Sequence, residues 1–143
     1  MFQGTLEAED SFKVSAFCMR IFHDGLATVE NLAGRGVLLH DDENLCLFCQ
    51  QVQESTSHIF FSCTSRLWSI CYTWINLLTA SHAQPIANFL LHIVVNLLGL
   101  NSCMWKMFWP AITWVIWSTR NNKVFNGKQW DLKQMMAEVL YLV

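Results

Sequence analysis

The chain has 143 residues, about the size of one domain, and 53% of them are apolar while only 14% are Asp, Glu, Lys or Arg. This excludes an intrinsically disordered chain, which needs low hydrophobicity and high net charge, and with six Gly and two Pro it excludes a collagen-like or linker-like polymer. The net charge of −2 hides a division: residues 1–63 hold three bases against nine acids, and residues 64–143 hold six bases against two acids, so a phosphate-binding surface is expected in the C-terminal half.

Val14, Phe17, Cys18, Ile21 and Phe22 recur with helical spacing and predict a helix over residues 13–22, broken by His23-Asp24-Gly25. A second, short helix is expected over residues 28–33, with Thr28 as N-cap, Glu30 in the positive first turn, and Gly34 and Gly36 at the exit. Residues 40–44 form an acidic loop, and residues 45–63 are too cysteine-punctuated for periodicity to assign. Leu67, Cys71, Trp74, Ile75 and Leu78 then make another helical stripe, opened by Thr64 or Ser65 and closed near Thr79.

Residues 81–85 read as a loop, and residues 86–98 as an apolar helix ended at Gly99. A long aromatic helix follows over residues 103–125, in which Pro110 is expected to make a kink or a new start, because it has no N–H to donate. The last helix, residues 131–142, takes Asp131 as cap with Gln134 as a capping-box-like partner, and aligns Leu132, Met135, Met136, Val139 and Leu140 on one face. No segment alternates as a strand, so the expected fold is all-α, with five to seven helices.

Six cysteines in a short chain mean disulfides only in an oxidising compartment. The segment from Met1 to Asp10 carries three acids and no base, unlike a secretory signal, so an intracellular, reducing setting, nuclear or cytoplasmic, is expected. There Cys46, Cys49, His58 and Cys63 form the pattern C-x2-C-x8-H-x4-C, four ligands suited to one tetrahedral zinc. Four protein ligands leave no open position, so the zinc is expected to be structural and its binding energy to be folding energy. The alternative is that these are ordinary buried cysteines.

His58 and Cys63 are five residues apart, about 140° around an ideal helix, so the helix carrying His58 must end or distort before Cys63. Cys18, Cys71 and Cys103 lie in apolar stretches and read as core, with Cys71 as the substitute ligand should His58 not serve. His23, His40, His82 and His92 are scattered and read as loop or core residues.

The segments Lys13-Val14-Ser15-Ala16-Phe17-Cys18-Met19-Arg20, Leu26-Ala27-Thr28-Val29-Glu30-Asn31-Leu32 and Arg35-Gly36-Val37 come in the same order as K-V-x-x-F-x-W-R, L-P-T-x-x-N-L and R-G-I elements. With Cys46-Leu47-Phe48-Cys49, Glu54, His58-Ile59-Phe60-Phe61 and Cys63, this order resembles the zinc-binding domain found after the reverse transcriptase of plant non-LTR retrotransposons and in host genes derived from them. The stretch Trp114 to Phe125 is similar to the W-x-I-W-x-x-R-N-x-x-x-F segment that trails this domain. The departures are Cys18 for the family's Trp, Ala27 for its Pro, and Leu47 and Thr64 where prolines flank the ligands; none removes a ligand.

The resemblance implies a nucleic-acid-associated accessory domain of a retroelement, with residues 1–79 as the zinc-binding domain and residues 80–143 as a helical segment packed on it. RNA or DNA contact is then expected through Arg120, Lys123, Lys128 and Lys133, because phosphate contacts are cationic and the zinc half is acidic. A second reading is a protein-interaction or structural remnant of a decayed element, joined to a retroelement polyprotein or another chain through its Trp-rich helices. A membrane protein is the weaker alternative, since polar residues divide the uncharged stretch from Leu67 to Trp105 into runs too short to cross. No catalysis is expected: there is no Gly-rich phosphate loop, and thiolates closed on zinc are not free nucleophiles.

Overall fold

The computed structural model describes residues 8–37, 44–74, 85–96 and 102–143. They form six α-helices: α1 (Ala8–Phe22), α2 (Val29–Gly34), α3 (Ser65–Trp74), α4 (Pro85–Asn96), α5 (Ser102–Asn126) and α6 (Leu132–Leu142). A π-helical turn, His58–Ser62, precedes α3. The described residues contain no strand beyond an isolated antiparallel bridge between Leu45 and Gln53. The expected acidic loop at 40–44, except Asn44, the end of the third helix at 75–79, the 81–84 loop and Gly99 lie outside the described residues.

α1 begins five residues before the expected start at residue 13 and buries Phe17 and Ile21. It ends where Asp24 takes a φ of 52°, and the Gly25 N–H donates to Arg20 O at 2.7 Å. Thr28 caps α2 as expected, accepting from Asn31 N–H at 3.3 Å. Asn31 in turn donates its side-chain amide to Asp24 O, Asp24 Oδ1 and Leu26 O at 2.8–2.9 Å, so one residue of α2 holds the whole connection from α1. Gly36 follows with a φ of 82°, left-handed backbone that glycine enters without a Cβ penalty.

α5 runs unbroken through Pro110, neither ending nor starting there. It fills the middle of the molecule: Phe108, Trp109, Ile112, Val115 and Ile116 are all buried. Trp109 meets Trp68 of α3 at 6.4 Å between ring centroids, and Trp117 stacks on Phe60 of the π turn at 6.0 Å. Each such ring pair contributes about 1 kcal/mol beyond its area burial. Residues 17–72 and residues 108–139 thus share one core. α6 adds Met135 and Val139. Asp131 does occupy its N-cap position, but without a side-chain hydrogen bond, and Gln134 bonds Glu138 at 3.3 Å instead of closing a capping box.

Among the described residues much of the apolar surface goes inward, and no described helix is long and apolar enough to cross a membrane. Trp68 and Trp109 are fully buried, whereas Trp74 and Trp114 stay about half exposed.

Candidate metal centre

The C-x2-C pair sits in a knuckle. Cys46 N–H donates to Val52 O at 2.7 Å, Gln50 N–H returns to Cys46 O at 2.8 Å, and Gln50 has a φ of 54° that turns the chain back. The distal pair comes from the π turn. There the Cys63 N–H donates to His58 O at 2.8 Å, a bond spanning five residues in place of four. The wider turn brings His58 and Cys63 back toward one side, which supplies the distortion their spacing demands.

The carbonyls released at the end of this turn do not go unpaired. Thr64 donates its hydroxyl to Ile59 O and Phe60 O, and Trp68 donates its indole N–H to Phe60 O at 2.6 Å. The Thr64 side chain therefore serves the preceding turn and does not cap α3.

One ligand atom from each of Cys46, Cys49, His58 and Cys63 lies within 4.8 Å of all the others. The sulfurs of Cys46 and Cys63 are 3.9 Å apart, and Cys49 Sγ is 3.4 Å from His58 Nε2. A tetrahedral zinc with ordinary bond lengths needs edges of about 3.8 Å between two sulfurs and about 3.6 Å between sulfur and nitrogen. The donor set and these two edges fit zinc.

Electrostatics agree with that fit. Cys46 and Cys63 share a hydrogen bond that holds the Cys46 thiol down at about 5 and pushes Cys63 well up. The first proton leaves easily and the second with difficulty, because the second would leave two anionic sulfurs in contact. A divalent cation between them removes that cost. Cys18 and Cys71 stand apart from this group; burial pushes their thiols up to about 11 and 12. Cys103 lies on α5, with its side chain outside the described residues.

The four cations expected to meet phosphate separate into two kinds. Arg120 is buried, against the expectation: its Nη2 and Nε donate to the two oxygens of Glu54 at 2.8 and 3.2 Å, Nη2 also reaches Ala27 O at 3.4 Å, and the guanidinium lies 4.9 Å from the Trp117 ring centre. It is committed to the interior and not free for a nucleic acid. Lys123, half-buried, donates to Leu47 O at 2.8 Å, inside the C-x2-C turn. Lys128 and Lys133 are exposed.

Glu54 is a structural centre that sequence reasoning missed. Fully buried, it accepts from Val29 N–H at 3.1 Å through Oε1, while its backbone carbonyl accepts from Glu30 N–H. It thereby stabilises the N-terminus of α2 and joins it to α5. The signal was present: Glu54 is the single acid between residues 44 and 130, and a lone carboxylate in an apolar chain requires a partner.

The model of a family described as zinc-binding in reverse transcriptase matches residues 5–68. The match includes all four candidate ligands and Glu54 and stops short of Arg120 and Lys123. No curated protein and no solved structure matches the chain. Over residues 5–68 the chain is thus similar to the zinc-binding domain in reverse transcriptase.

Proposed function

We propose that the chain is a non-catalytic accessory domain of a retrotransposon-derived protein, in which one structural zinc held by Cys46, Cys49, His58 and Cys63 fixes the knuckle against the helical core. The observation that carries this reading is the convergence of the four ligand atoms within 4.8 Å of one another. Four protein ligands fill a tetrahedron and leave no position for a reacting water. A reducing nuclear or cytoplasmic setting suits three free thiolates. Metal analysis of the purified protein tests it: one zinc per wild-type chain and none in Cys49→Ala is expected, and equal metal in both overturns it.

Within this reading, contact with RNA or DNA falls to Lys128 and Lys133, the two of the four cations that face solvent. Contact with another chain is the second reading. It is favoured by Ile86 and Leu90, exposed one turn apart on α4. A monomer by light scattering at high concentration would count against self-association through that face.

A further inference from the structure

We infer that Lys123 is a positioning residue of the metal centre, acting from α5 through the Leu47–Phe48 peptide, and that metal binding and docking of α5 are therefore coupled. The inference rests on the zinc reading and extends it to a residue beyond the matched domain.

The geometry is specific. Lys123 Nζ donates to Leu47 O at 2.8 Å. That carbonyl belongs to the Leu47–Phe48 peptide, the middle link of the two-residue bridge between the ligands Cys46 and Cys49. An ammonium on this carbonyl fixes the plane of the peptide, and with it the relative placement of the two thiols on either side. Charge adds to orientation. Three thiolates and a neutral His around Zn²⁺ sum to −1, in a half of the chain that is already acidic, and Lys123 brings a compensating +1 to the turn.

Lys123 does not act from a loose arm. It lies one helical turn beyond Arg120, on the same side of α5, and Arg120 is anchored to Glu54 and to the face of Trp117. Trp117 stacks on Phe60, two residues after the ligand His58. The face of α5 that carries Trp117, Arg120 and Lys123 thus touches both halves of the ligand set, the knuckle and the π turn. Whatever free energy α5 contributes to the metal, the metal returns to α5, because linkage is reciprocal.

The experiment uses the full chain. Co²⁺ is titrated and followed by its thiolate charge-transfer and tetrahedral bands, and zinc affinity is read by competition. Lys123→Met is expected to weaken zinc about tenfold or more, as removal of outer-shell partners does. Lys123→Arg, which keeps a donor and the charge, should remain within about threefold of wild type. Arg35→Met removes one exposed cation elsewhere and should change nothing.

Wild-type affinity in Lys123→Met overturns the inference, and so does an equal loss in Arg35→Met, which would reduce the effect to net charge. A measurement on the wild type alone gives a second reading: zinc should slow amide hydrogen exchange across residues 117–126 as well as in the knuckle, and slowing confined to the knuckle overturns the coupling. A wild-type chain that takes no metal would instead defeat the zinc reading itself.

Discussion

Arg120 and Glu54, 66 residues apart in sequence, form a two-pronged ion pair at 2.8 and 3.2 Å in the interior of the molecule. Such a pair is costly to bury and more costly to break, because removing one partner leaves the other charged and without water. Arg120→Met is expected to destabilise the metal-loaded protein by about 3–5 kcal/mol in urea denaturation. The double variant Arg120→Met, Glu54→Leu should recover part of that loss. A single variant that unfolds at the wild-type midpoint would show that the pair contributes nothing.

Thiol chemistry should divide the cysteines into two classes. Alkylation needs the thiolate, and burial pushes Cys18 and Cys71 up to about 11 and 12, so at pH 8 both remain protonated and slow to react. Raised values mean that their reactivity keeps increasing as pH climbs toward that range and levels off only above it. Cys46 should be protected by zinc and labelled rapidly after chelation, with Cys63 slower because its bond to Cys46 pushes its thiol up, as peptide mass mapping can follow. Fast labelling of Cys71 in the loaded protein would contradict the burial described for α3.

The hydroxyl of Thr64 satisfies the carbonyls that the π turn releases, Ile59 O and Phe60 O. Thr64→Val keeps the shape, removes the donor and should cost about 1–3 kcal/mol, the penalty for a buried carbonyl left short of a partner. Thr64→Ser should cost less. Thermal melts of the two variants give the order, and a Val variant as stable as the wild type would rule the donor out.

If the chain binds nucleic acid through Lys128 and Lys133, each substitution by Ala should lower the slope of log affinity against log salt by about one, without changing sequence preference. Lys123→Met should leave that slope nearly intact, since its ammonium is spent on Leu47 O. Absence of binding at low salt removes nucleic acid as a partner.

Much of the site was legible in the sequence for a local reason: C-x2-C is a turn, and the five-residue gap from His58 to Cys63 cannot be served by an ideal helix. Helices were legible where apolar spacing was regular, as in α1 and α6, or where a cap marked the start, as Thr28 does for α2. What escaped were relationships across the chain. A basic residue in a helix reads as surface until its partner is known, so Arg120 was assigned to a phosphate while it belonged to Glu54. Likewise Pro110 reads as a break on its own, yet the buried faces around it hold α5 as one helix. Local propensity yields to tertiary packing at both places.

The π turn also bears on what the chain could lose. An α-helix would set two ligands on one face at a spacing of four residues, so deleting the exposed Ser62 would leave His58 and Cys63 still able to meet at one ion. Five residues of π turn and four of α-helix each make roughly one turn, so the same deletion would leave α3 in nearly the same phase. Leu67, Trp68 and Cys71 would keep facing the core. The additional residue is thus a local insertion that the ion and the packing against Trp109 could both do without.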